Sequence, residues 1–256
     1  MISSISNPKV KKVRRLQVDK RYRAKQQQFV VEGTRWIGEL TKTLATPQDV
    51  FYTEDWLVQE DHTELIDRLQ CRRHLVADPL MAAMSTTEAP PGVLATVVIK
   101  PLTIPEKLSL VLIVDGITNP GNLGTMLRTA AAAGVDAVLL APGSVDIFNP
   151  KVVRGSMGAL LRIPVHQLNW NDIAATVKSL HIWMATAHGT DIYTAIDWRE
   201  PAALIIGNEA HGPSKRAGSL SVGTVKIPMS SATESLNAAI AAGIILFEVL
   251  RQRSDA

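Results

Sequence analysis

Apolar and polar positions along the chain repeat first with a helical and then with an alternating strand and helix rhythm. Val10, Val13, Leu16 and Val18 recur at about helical spacing, which predicts a helix with one apolar stripe near the start. From Phe29 the period changes back and forth. Short apolar runs at 29–31, 50–52, 74–77 and 94–99 predict strands, and stretches at 34–44, 62–69 and 79–84 predict helices between them. Such alternation indicates a layered α/β domain. Pro90, Pro91 and Gly92 punctuate it internally, and the two prolines of PLTIPEKL (101–108) read as a linker. The expected division is therefore 1–100, linker 101–108 and 109–256.

The second part opens with SLVLIVD (109–115), apolar enough for a strand covered on both faces. The turn ITNPGN leads to a predicted helix over 123–133, closed by Gly134, and then to a strand at 137–141. That is a βαβ unit, so a parallel sheet is expected. Further strands are predicted at 163–165, 182–187, 203–206 and 224–228, with helices over 150–161 and 172–180. The last helix is apolar on every side from Ala238 to Phe247, which places it in a core, in a bilayer or against another subunit. The run is too short for a bilayer. Thr233, Glu234, Ser235 and Asn237 crowd its start, where orphan N–H groups and the positive dipole end gather.

Composition is that of an ordinary globular protein, 46% hydrophobic and 20% charged over 256 residues. The charge is not evenly spread. Residues 1–28 hold nine Lys or Arg against the single acid Asp19, a surplus of eight in a chain whose net charge is +3. This asymmetry points to a polyanion docking at one end. Residues 1–12 lack the apolar segment of a secretory signal, and the lone Cys71 excludes an internal disulfide, so a reducing, cytoplasmic setting is expected.

Two polar turns follow predicted strands. In NPGNLG (119–124) backbone amides at a helix start can hold an anion, and Arg128 on the helix beyond points away from its apolar face. LIIGNEAHGPS (204–214) runs from a strand into a glycine-flanked turn, where Gly207 would let a ligand approach the backbone, with Glu209 and His211 at the rim. A surface salt bridge and a simple tight turn are the competing explanations. No P-loop, no G-x-S-x-G elbow and no metal-ligand spacing of His or Cys occurs.

NPGNLGTMLRTA, LIIGNEAHGPS and IPMSSATESLNAAIAAGIILFE, in this order, resemble the three motifs of the SpoU (TrmH-type) RNA ribose 2′-O-methyltransferases of the SPOUT superfamily. The resemblance covers residues 109–256. The leading segment, with FVVEGTRWI and MSTTEAPPGVLATV, is similar to the substrate-binding domain of rRNA-directed members, a small α/β fold shared with RNA-binding ribosomal proteins. It implies a trefoil-knotted parallel-sheet domain that binds S-adenosylmethionine and forms a homodimer through its last helix. The implied cofactor contacts fall on Gly207, Ile227 and Leu236 with Met229 beside them, and the implied catalytic set on Asn122, Arg128, Glu209, Ser235 and Asn237. Because a guanidinium stays protonated, the expected role of Arg128 is to clamp the substrate phosphate and polarise the ribose hydroxyl. Asn122, Ser235 and Asn237 are expected to orient it, the ribose and the cofactor. Lys11, Lys12, Arg14, Arg15, Lys151 and Arg154 are the expected grip on RNA phosphates, with rRNA the expected substrate. A tRNA methyltransferase and a non-catalytic ribosome-assembly factor are the alternatives. Pro213 stands where many relatives carry leucine, and SSATES lacks the glycine-rich spelling often found there.

Overall fold

The computed structural model describes residues 1–230 and 235–254. The chain forms two compact units, Met1–Lys100 with Phe148–Leu161, and Pro101–Ile147 with Arg162–Ala256.

In the first unit, helices α1 (Pro8–Val18) and α2 (Lys20–Gln26) precede strand β1 (Gln28–Glu32). Helix α3 (Thr34–Leu40), β2 (Pro47–Tyr52), α4 (Glu54–Leu57), α5 (His62–Asp67), β3 (Arg72–Leu75), α6 (Asp78–Met84) and β4 (Val93–Val98) follow. The strands form a sheet in the order β1-β4-β2-β3, antiparallel except for β2 beside β3. Val10, Val13 and Leu16 of α1 are fully buried against Val30, Phe51, Leu94, Met81 and Met84, as the helical spacing predicts. Val18 departs from the expected stripe and is 81% exposed. The reason is a break at Asp19, whose backbone is extended and whose side chain accepts Tyr22 N at 2.9 Å to cap α2. Arg23 is buried, and its Nη1 donates to the carbonyls of Leu16 and Gln17 at the end of α1. One of the nine cations is thus a structural cap rather than a surface charge.

The second unit begins with β5 (Leu110–Asp115), α7 (Pro120–Ala132) and β6 (Ala137–Leu140). The chain then contributes helix α8 (Pro150–Ser156) and a 3₁₀ turn (Ala159–Leu161) to the first unit. The single helix expected over 150–161 ends at Ser156 because Met157 and Gly158 take left-handed backbone. Returning, the second unit adds β7 (Val165–Gln167), α9 (Trp170–Thr176), β8 (His181–Ala185), the two-residue β9 (Asp191–Ile192), β10 (Ala202–Gly207), α10 (Lys215–Leu220), β11 (Gly223–Lys226) and α11 (Ala238–Ser254). All seven strands are parallel, in the order β7-β6-β5-β10-β8-β11-β9. Every residue of β5 and of β10 is buried, consistent with central strands covered on both faces. Ile104 and Leu108 pack on this core, and His166 Nε2 donates to Leu102 O at 2.7 Å, so 101–108 is held rather than free.

Helix α11 packs on α7 and buries Ala238, Ala239, Ala242, Ile245, Leu246 and Val249. Its far end is fastened by polar groups. Glu248 accepts from Arg251 and Gln252, which holds its carboxyl down to about 2, and Gln252 also binds the backbone of Ile196 and Trp198. Ile240 and Phe247 are 56% and 50% exposed with Ile244 half-buried between them, so the all-round apolar surface is only half covered. Among the described residues no helix is long and apolar enough to cross a membrane.

Candidate cofactor cavity and active site

The registers of β5, β10, β8 and β11 bring their carboxyl ends to one edge of the sheet. Asp115 pairs with Gly207, Ile206 with Ala185, and Ala185 with Val225. Open parallel sheets bind ligands at this edge. Here a cavity of about 350 Å³ is lined by Ala185–His188, Ile206–Ala210, Gly212, Pro213, Val225, Ile227 and Met229, and by Ser235, Leu236, Ala238, Ala241 and Ile245 at the start of α11. All four expected cofactor-contacting residues, Gly207, Ile227, Met229 and Leu236, are among them. Gly207 has a further reason to be glycine. A Cβ there would stand 2.2 Å from Pro213 N, so its bare backbone is what lets the 208–213 turn fold back onto the strand.

Three of the expected catalytic side chains form one hydrogen-bonded chain. Asn119 caps α7 through Gly121 N, Pro120 occupies the first helical position, and Asn122 thereby sits in the first turn. Asn237 caps α11 in the same way, its Oδ1 accepting from Ala239 N at 2.9 Å and Ile240 N at 3.3 Å. That fixes its amide orientation, leaving Nδ2 to donate to Asn122 Oδ1 at 3.0 Å. Asn122 in turn has only its Nδ2 free, and this donates to Glu209 Oε1 at 2.7 Å. Residues separated by 87 and 115 positions in sequence are joined by side chains whose direction two helix termini dictate. A carboxylate beside the first turn of α7 also lies where the helix dipole favours negative charge.

Ser235 lines the cavity without a hydrogen bond among the described residues. Arg128 lies outside the chain of amides. It is exposed on α7, off the face carrying buried Leu123, Met126, Leu127 and Ala130, and makes no hydrogen bond or ion pair with any described residue. Thr233 and Glu234 lie outside the described residues. His211 is exposed at the turn.

Sequence reasoning missed the groups that fix the 208–213 turn. Asn208 donates from Nδ2 to Gly116 O at 2.7 Å and accepts at Oδ1 from Ala210 N and His211 N. Asp115, 5% exposed, accepts Ser214 N at 2.6 Å. An asparagine opening a glycine-rich turn was the available signal, since its side chain readily binds amides two and three residues on. Thr186–His188, which also line the cavity, carry no sequence signal.

The expected RNA contacts lie in the first unit. Lys11, Arg14 and Arg15 are exposed on one face of α1, while Lys12 is half-buried. On α8, Lys151 is exposed, and Arg154, half-buried, donates to Thr86 Oγ1 at 3.1 Å. Thr86 is held in turn by Glu32, which also accepts from Gln17 and Ser85.

Comparison with known proteins places this architecture. Residues 109–247 match the SpoU rRNA Methylase family, and residues 7–95 match an MRM3-like substrate binding domain. The chain is 32% identical to the Bacillus subtilis 23S rRNA (guanosine(2553)-2′-O)-methyltransferase RlmP, over 97% of this chain and 98% of that protein. With an uncharacterized tRNA/rRNA methyltransferase of Synechocystis it shares 34% identity over 98% and 94% of the two chains. The SpoU methyltransferase AviRb from Streptomyces viridochromogenes, solved in complex with AdoMet, superposes with a TM-score of 0.91 at 28% identity, covering 98% of this chain and 99% of that one. A parallel sheet with ligand-facing strand ends, an apolar cavity against the last helix and the matching family signature over more than half the sequence agree: the chain belongs to the SpoU rRNA methylase family.

Proposed function

We propose that this protein is an S-adenosylmethionine-dependent RNA ribose 2′-O-methyltransferase acting on rRNA. The observation that carries the reading is the Asn237–Asn122–Glu209 chain, which ends on a carboxylate residue lining the strand-end cavity. The cavity fits that cofactor. Ile206, Ile227, Leu236 and Ile245 offer an apolar slot for an adenine ring, backbone groups at Thr186–His188 and Gly207 can read its edge, and Glu209 puts a carboxylate beside a cationic ligand.

When bound, S-adenosylmethionine supplies an electrophilic methyl group on a sulfonium. The protein's task is then to align a ribose hydroxyl and manage its proton. Glu209 Oε1 is engaged by Asn122, so its other oxygen, Oε2, is the acceptor left to receive that proton in a hydrogen bond. Arg128, which has no hydrogen bond or ion pair among the described residues, is available to clamp the adjacent phosphate with its planar fork and to polarise the hydroxyl. Ser235 orients the ribose, and Asn237 keeps Asn122 and hence Glu209 in register. Lys11, Lys12, Arg14, Arg15, Lys151 and Arg154 supply the positive charge that draws the RNA backbone, and Lys151 and Arg154 belong to the same compact unit as the basic helix. The similarity to RlmP supports rRNA as the substrate, and a cytoplasmic location goes with it. Family membership supports a trefoil knot in the second unit.

The test joins two measurements. Saturating S-adenosylmethionine should raise the melting temperature by roughly 5 °C, as a ligand at about a hundred times its Kd does for a domain of this size. Mapping 2′-O-methyl groups with and without the protein should then show an added ribose mark on rRNA. Absence of any cofactor-induced stabilisation would leave only an RNA-binding assembly factor, and a mark on tRNA alone would make the protein a tRNA methyltransferase.

The same reading includes a homodimer through α11. Ile240, Ile244 and Phe247 recur at i, i+4 and i+7 and form an apolar stripe opposite the buried face of the helix. Light scattering at micromolar concentration should give twice the 27.8 kDa chain mass, and Phe247→Glu should halve it. A monomeric native chain refutes this interface.

A further inference from the structure

Nothing in the phosphate contacts proposed above recognises a base, yet the first unit carries a group built like a stacking surface. Arg15 Cζ lies 4.3 Å from the centroid of the Tyr22 ring. Both partners are fixed. Tyr22 packs on the cluster of Val10, Val13, Leu16 and their neighbours, and its amide is bound by Asp19 Oδ1. The second oxygen of Asp19 accepts Arg15 Nε at 3.3 Å, so one carboxylate holds both the helix start beneath the ring and the guanidinium above it. The bond to Tyr22 N, with the neighbouring Arg15, lowers the Asp19 carboxyl below its ordinary value.

One side of the guanidinium is therefore covered by the ring, while the Arg15 side chain remains 62% exposed. Lys11, Arg14 and Arg15 stand at i, i+3 and i+4, so two further cations flank it on the same helix face. A phosphate clamp needs charge and freedom to follow the backbone. A planar cation held over an aromatic ring, beside two exposed cations, is instead suited to a flat partner, since RNA bases stack on guanidinium planes.

We propose that Arg15 on Tyr22 is a stacking platform for an unpaired nucleobase, with Lys11 and Arg14 holding the phosphates on either side. The platform rests on the RNA-binding reading above and gives it a preference for single-stranded over paired RNA. The ring and carboxylate fix the platform before RNA arrives, so less side-chain freedom is lost on binding. A base inside a duplex already has neighbours on both faces and cannot use it.

The full-length protein, Arg15→Lys and Arg15→Ala are titrated with single-stranded oligoadenylate and with the duplex it forms with oligouridylate. Arg15 is exposed, so both variants should fold, and unchanged melting temperatures check this. Lysine keeps the charge but removes the plane. Arg15→Lys should weaken single-strand binding about tenfold, in the range of one lost base stack, and change duplex binding by less than about twofold. Its salt slope should match the native protein's, because Lys11 and Arg14 still hold the phosphates. Native-like binding of the single strand by Arg15→Lys overturns the platform, as does equal weakening for both RNAs. Either result leaves RNA binding itself intact, whereas a native protein that binds neither RNA removes the broader reading as well.

Discussion

Gly207→Ala should abolish cofactor binding while leaving most of the fold in place. Gly207 ends β10 with every residue of the strand buried, and the Cβ of alanine would lie 2.2 Å from Pro213 N, 2.5 Å from Pro213 Cα and 2.6 Å from Gly212 C. These are backbone atoms, with no flexible side chain that could swing aside. The turn must move, and it is held at several points: Asn208 to Gly116 O, Gly212 N to Asn208 O, and Ser214 N to Asp115. Relief of the clash therefore shifts Glu209 away from Asn122 and pushes the turn into the cavity that Pro213, Gly212 and Ala210 line. Overpacking of this kind costs about 1–3 kcal/mol of stability, which a domain of this size survives. Calorimetric titration with S-adenosylmethionine should show affinity reduced by at least about a hundredfold, with circular dichroism near native. Cofactor affinity within about twofold of native would mean that the turn relaxes without disturbing the cavity, and the reading of this glycine fails.

The same glycine marks the boundary of what was legible in the sequence. The runs SLVLIVD and LIIG and the glycine after Ala133 predict buried strands and a helix stop from residue type alone, and the structure has β5, β10 and the end of α7 there. Legibility fell where a short polar device set the local structure. Asn119 and Pro120 begin α7 three residues before the first apolar position at Leu123, because a cap and a fixed proline φ start the helix. Asp19 splits the basic segment for a similar reason. Strand β9 is only Asp191–Ile192, and α10, KRAGSL, has a single buried residue, so neither leaves a periodic trace. The family motifs identified Asn122, Glu209 and Asn237 as residues of one site. They could not show that Asn237, held by two amides of its own helix, imposes the amide orientation of Asn122, since this depends on contacts between termini more than a hundred residues apart.

That directionality also bears on which residue handles the proton. A chain running from helix amides through two asparagines ends on a carboxylate oxygen, and no member of it needs to change its charge to remain bonded. It is a positioning device for Glu209. Arg128 is the group without such support among the described residues.

Arg128→Lys should accordingly lower the rate of methyl transfer by about a hundredfold or more with S-adenosylmethionine affinity unchanged. Arg128 is not part of the cavity wall, and neither its charge nor its packing supports the cofactor's slot. A guanidinium is protonated at any working pH, so lysine, a point cation, would serve nearly as well if charge near the substrate were all that mattered. Lysine lacks the two parallel N–H groups that fix a phosphate and a neighbouring hydroxyl in one plane. Losing a donor aimed at charge that develops in the transition state commonly costs two to three powers of ten in rate, roughly 3–4 kcal/mol. Single-turnover assays on an unmethylated transcript of the target rRNA segment separate the effects, because they read the chemical step apart from RNA binding. The expected pattern is a slow step at saturating RNA, native cofactor affinity and a melting temperature within about 1 °C of native, since an exposed surface arginine contributes little to stability. Near-full turnover in Arg128→Lys would rule out any role that depends on the planar fork and would shift the alignment of the ribose to Ser235 and Glu209.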